Sequence, residues 1–170
     1  MFKTTIVGLA LAFGLAFALP AFAETVTVPT KGKGLAIEVP AGWDTEEVKR
    51  GIEFSTEDEE VFLWIEAYAE PEFEAVKKEV AEYLAEQGIE IKGEPKITPH
   101  DFDKYGIATL DFPATWNGET TILRYLLIEP KNPAKSRLIL SYWATPDGDK
   151  KHDAETQKLV DSFARALDND

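Results

Sequence analysis

The chain has 170 residues, a formal net charge of −13, 44% hydrophobic residues and no cysteine. Those values exclude disulfide and thiolate chemistry, and a surface so acidic repels nucleic acid and anionic lipid. The apolar content is that of a folded domain rather than a disordered chain.

The opening residues, MFKTTIVGLALAFGLAFALPAFA, carry a single charge, Lys3, before an uncharged run from Ile6 to Leu19. Pro20 ends the run, and Ala21 and Ala23 stand at the small-residue positions a signal peptidase reads. The pattern predicts a secretory signal peptide over 1–23, cleaved after Ala23, and a periplasmic protein. The apolar run is shorter than the roughly 20 residues a membrane-spanning helix needs, so no membrane insertion is expected after cleavage. Losing the 23 residues removes one positive charge, which leaves 147 residues at −14. That length suits one domain, 24–170, with a full core.

Along that domain, Leu35, Ile37 and Val39 alternate as in a strand, and Pro40-Ala41-Gly42 reads as a turn before Trp43. A second short strand is predicted over 51–55, then an acidic turn with four consecutive acids in 57–60. The strongest strand spans 60–69. Val61, Leu63, Ile65 and Ala67 share one face and Phe62, Trp64 and Tyr68 the other, interrupted by Glu66. Both faces need cover, which makes it a central strand. The period then changes to threes and fours over 71–88, a helix with Phe73, Val76, Val80, Tyr83 and Leu84 on its apolar stripe. A short edge segment follows at 89–91. Strands over 105–116 and 119–129 flank Asn117-Gly118, the dipeptide of a type I′ hairpin. A strand over 137–145 and a helix from about Lys150 to Leu167 complete the chain. The order predicts an α+β fold: a single antiparallel sheet with helices packed on both faces.

Few residues suggest chemistry. His100, Asp101 and Asp103 crowd one stretch, but neighbours in sequence supply at most two metal ligands, and Pro99 with the acids fits a turn. Asp147 and Asp149 resemble part of a calcium loop, yet the glycine falls between them and no glutamate follows at the required distance. They suit a helix N-cap instead. These five are the candidate metal residues. Two acids have interior positions, Glu66 and Asp111. Either could be a catalytic carboxylate if buried, or could pair with a base such as Arg124 on the neighbouring strand. No nucleophile elbow, P-loop or dinucleotide fingerprint occurs, so no catalytic residue and no cofactor is predicted. Trp116, beside the Asn-Gly turn, is either an exposed interaction anchor or folded back over the sheet.

The segment IEVPAGW (37–43), then GIEFS (51–55), a strong strand, a helix, a strand meander and a last helix ending LVDSFARAL (159–167) resembles the PsbP-like proteins. Pro40, Gly42, Trp43 and Ser162-Phe163 carry the likeness most sharply. The resemblance implies an α/β/α sandwich and a non-enzymatic, extrinsic subunit that docks on a membrane complex. It matches no ion-binding motif residue by residue. The expectation is therefore a periplasmic accessory module acting through contacts with another periplasmic or membrane-complex protein. The alternatives are a divalent-cation binder, which requires the acidic turns at 56–60, 100–103 and 147–153 to converge, and an enzyme built on a buried carboxylate.

Overall fold

A computed structural model describes residues 22–169. The strands are β1 (Phe22–Val28), β2 (Leu35–Pro40), β3 (Trp43–Val48), β4 (Gly51–Thr56), β5 (Val61–Tyr68), β6 (Ile89–Ile91), β7 (Lys96–Asp101), β8 (Tyr105–Trp116), β9 (Glu119–Pro130) and β10 (Arg137–Ala144). The helices are α1 (Phe73–Glu86), entered through a 3-10 turn, α2 (Pro146–Lys151) and α3 (Asp153–Asn169). No helix among the described residues is long and apolar enough to cross a membrane.

Eight strands form one antiparallel sheet in the order β3-β4-β5-β10-β9-β8-β6, with β7 also paired to β8. The single-sheet expectation is corrected by β1 and β2, which pair only with each other. Together with α3 this hairpin covers one face of the large sheet. Val28, Leu35, Ile37 and Val39 meet Leu63, Ile65, Leu140, Leu159 and Phe163 there. Ser162 locks the helix in place, because its Oγ accepts the Glu38 backbone N–H at 2.8 Å. Trp43 is buried in the same layer. On the opposite face, Val76, Val80 and Leu84 of α1 pack on Tyr68, Leu123, Tyr125, Ile139 and Trp143.

The two-faced reading of β5 holds residue by residue, with Val61, Leu63 and Ile65 in the α3 layer and Trp64 and Tyr68 toward α1. The hairpin turn is present, with Asn117 at φ 50° and Gly118 at φ 87°. Three strands escaped the periodicity. β3 carries Asp44, Glu46 and Glu47 on an edge, β7 has no fully buried residue, and β1 lies partly inside the segment assigned to the signal peptide. His100 and Asp101 therefore sit in β7 rather than in a turn, and the turn begins at Phe102. The C-terminal helix is also in two pieces, broken at His152. Its first cap is Thr145, whose Oγ1 accepts from Gly148 N at 2.9 Å, not an aspartate.

Gly148 decides how the C-terminal segment meets the acidic turn. A Cβ there would lie 2.5 Å from the Glu60 Cβ and 2.8 Å from the Glu60 carbonyl oxygen, and Thr145 N donates to that same oxygen at 3.0 Å. Gly148→Ala should therefore cost about 1–3 kcal/mol through overpacking, seen as a lower urea midpoint with an unchanged slope.

Candidate functional site

Two places gather chemically active side chains. The first is a cleft of about 330 Å³ between α1 and the β3–β4 end of the sheet. Its floor is the buried carboxylate that the sequence singled out. Glu66 is 5% exposed, and burial, the largest influence, raises its pKa. Arg50 opposes that rise, with a guanidinium nitrogen 3.2 Å from the Glu66 carboxylate. A second arginine nitrogen lies 2.7 Å from Glu79 on α1, and Lys49 reaches Glu79 at 3.0 Å. Glu79, held by these two cations, has a lowered pKa. The Arg50 link joins β5 to α1 from a β3–β4 turn residue, so it bridges the two walls of the cleft.

Above this floor stand Glu46, Glu53, Trp64 and Tyr83. Glu46 faces Glu53 across the β3–β4 pair, and Glu53 faces Trp64 across β4–β5. Tyr83 of α1 meets the Trp64 ring edge-on, at 4.4 Å between centroids. Burial, with the charges of Glu53 and Glu46, pushes the Tyr83 pKa up to about 12, so its hydroxyl is a donor at neutral pH. Glu53 has a raised pKa, first from burial and also from Glu46. The Trp64 indole N–H draws it partway back, at a geometry short of a full hydrogen bond.

The second place is the junction of the acidic turn with α2. Asp58, Glu60 and His152 present ligand atoms within 4.8 Å of one another. His152 Nε2 lies 3.0 Å from the Asp58 carboxylate, and Lys151 Nζ is ion-paired to the same oxygen. These hydrogen bonds, Lys151 first, hold the Asp58 pKa far below the usual carboxylate range. The three residues could ligate a cation, but an ammonium already neutralises Asp58, and a metal would have to displace it.

The residues predicted as metal candidates are not brought together. His100 lies in exposed β7 opposite Ile107, while Asp101 is ion-paired to Lys131 at 2.8 Å. Asp103 is exposed beyond that strand. Asp147 pairs with Lys150 at 3.6 Å, and Asp149 accepts the Tyr142 hydroxyl at 2.7 Å. Two acidic turns, 56–60 and 147–153, do meet, but through Asp58, Glu60 and His152. Asp111 is paired with Arg124 at 2.6 Å. Trp116 folds back, its indole N–H donating to the Gln87 carbonyl at 2.9 Å and its ring edge-on to Trp143 at 5.3 Å. Sequence reasoning missed Arg50 and the Glu46–Glu53 pair. Finding them required the β3–β4 register, which an acidic edge strand does not announce.

No family model matches the chain, and no curated protein matches it. Among solved structures, it resembles the solution structure of cyanobacterial PsbP (CyanoP) from Synechocystis sp. PCC 6803. The TM-score is 0.51 at 11% identity, covering 92% of this chain and 96% of that one. The fold is PsbP-like. A Pseudomonas aeruginosa protein of unknown function, PA94, aligns at a TM-score of 0.37 and 17% identity over 74% of this chain and 87% of its own.

Two outcomes test the electrostatics. Glu66→Ala leaves Arg50 with Glu79, half-exposed, as its remaining carboxylate partner. It should therefore cost less than the roughly 3–5 kcal/mol of a fully broken buried pair, about 1–3 kcal/mol in urea unfolding. Glu66→Gln keeps the shape and an acceptor and should cost less. Asp58, by contrast, has a depressed pKa in the folded state. Its contribution is present above the ordinary carboxylate pKa of about 4 and fades as the pH falls below that value. Asp58→Asn should therefore lower the Tm at pH 7, with the two melting curves converging in acid and the difference shrinking in high salt.

Proposed function

We propose that the chain is an exported, non-enzymatic accessory protein of PsbP-like fold, with residues 1–23 a cleaved signal peptide and 24–170 one domain. It works in the periplasm through contacts with another protein. The observation that carries the non-enzymatic reading is the state of Glu66. This buried carboxylate is matched by Arg50, and no histidine, serine or threonine lines its cleft. A general acid or base must be free to exchange a proton with a bound substrate, and a hydroxyl nucleophile needs a base beside it. The cleft floor supplies an ion pair instead.

The contact surface in this reading is the β6–β7 edge. Ile97, Phe102 and Ile91 are 61%, 55% and 44% exposed, the large hydrophobics left most open among the described residues. Ile97 and Ile91, opposite Leu110 and Ala114, lie on the α1 side of the sheet, and Phe102, stacked on His100, lies on the other. On this acidic chain the edge therefore offers apolar side chains from both sides to a partner protein. Pro99 denies β7 a backbone donor at mid-strand, which works against a further strand adding there. The contact is therefore made by side chains.

A photo-crosslinking residue placed at Ile97 or Phe102, in the protein expressed in its own cells, should give one defined adduct. The same residue at exposed Lys158 should give none. The recovered protein should begin at Glu24. Absence of adducts at the edge, or the same ladder at all three positions, would remove the reading.

A further inference from the structure

Glu46 and Glu53 are directly opposed on neighbouring strands, and like charges in that position destabilise a sheet. Among the described residues, neither has a lysine or arginine within ion-pair distance. The cations lining the same cleft, Lys49 and Arg50, are engaged by Glu79 and Glu66. The cleft therefore holds a balanced group of four charges, from buried Glu66 and Arg50 at its floor to Glu79 and exposed Lys49 at its rim, and beside it two carboxylates without a cationic partner. Elsewhere the protein answers a comparable acid internally, by setting Lys151 on Asp58.

The wall beside the unanswered pair narrows the chemistry. Trp64 lies opposite Glu53, Tyr83 stands over Trp64, and Val48 and Val80 line the space between. A hard metal ion asks for several converging oxygen ligands and gains little from aromatic and aliphatic walls. A cation carried on an apolar stem uses both features. Its charge meets the carboxylates, and its methylenes cover the valines and the aromatic pair. The volume, about 330 Å³, is that of a small-molecule site.

We infer that the Glu46–Glu53–Trp64–Tyr83 cleft binds a primary alkylammonium group, with the ammonium between the two carboxylates and the stem along the aromatic wall. The group could belong to a free diamine or to a lysine side chain. This site lies on the β3–β4 end of the sheet, so it goes beyond the edge contact proposed above and does not rest on it.

The test is titration of the purified protein with 1,5-diaminopentane and with Nα-acetyl-lysine amide, at fixed ionic strength. 1-Pentanol and potassium chloride serve as stem-only and charge-only controls. The readout is the Trp64 indole N–H resonance, assigned by its loss in Trp64→Phe. Saturable shifts with an ammonium, absent with both controls, are expected. Glu46→Gln/Glu53→Gln should weaken binding at least about tenfold, the order of one lost charge-assisted contact. The double variant removes a repulsion, so it should fold, and its Tm confirms that. Stronger binding of the diamine assigns the site to a free ligand, and stronger binding of the lysine amide assigns it to a protein side chain. No saturation with either, equal response to potassium chloride, or binding unchanged in the double variant would overturn the inference.

Discussion

Everything in this fold follows from the β5–β10 pair being apolar on both faces. Val61, Leu63 and Ile65 point one way and Trp64 and Tyr68 the other, while Leu138, Leu140 and Tyr142 of β10 oppose Ile139 and Trp143. A sheet whose central strands repel water on both sides is stable only between two layers. α3 with the β1–β2 hairpin supplies one, and α1 supplies the other.

The two layers are unequal, and the candidate site is a consequence. A helix is about 10 Å across and neighbouring strands are about 4.8 Å apart, so one helix spans only two or three strands. α1 lies over the middle of the sheet, on β5, β10 and β9. The β3–β4 end of that face is left without a lid, and the space beside α1 becomes the cleft. The Arg50–Glu66–Glu79 contacts serve as a charged seam between the strands and the helix, running from the buried floor of the cleft to its rim. Burying that seam is tolerable only because each charge has a partner. The carboxylates above it lack one, which separates a structural feature from a binding feature within a single concavity.

The other face is covered by a hairpin and a 17-residue helix together, which leave a hollow of about 350 Å³ beside Glu38, Ser162 and Arg165. Ser162 and Arg165 tie α3 to Glu38 of β2, so the hairpin and the helix form one layer. The acidic turn at 57–60 stays exposed but is fixed at Glu60 by the close approach of Gly148, and this contact places Lys151 and His152 on Asp58. The same kind of residue thus ends in two different states. Asp58 is neutralised by its own chain, while Glu53 waits on a half-buried strand for something outside it.

How much of this was legible beforehand depended on the range of the interaction. Elements with a strong period, β5, α1 and the Asn117-Gly118 hairpin, could be read locally, because burial imposes alternation or a 3.6-residue repeat on the residues themselves. Glu66 and Asp111 could be singled out for the same reason, as acids interrupting apolar runs. Buried Glu66 takes Arg50 because an unpaired buried charge is costly, whereas Asp111, partly exposed, meets Arg124 as its direct cross-strand neighbour. β3 and β7 are edge strands with little buried side chain, so they carry no such imprint. Nor did Asp147 and Asp149 reveal that His152, rather than they, would meet Asp58 and Glu60. The sequence by itself determined which segments must be covered and where the chain turns. Only the tertiary structure decided which acids face one another and which cation answers each. The physical reason is that charge pairing across strands depends on register and helix placement, and these are set by the packing of the whole core.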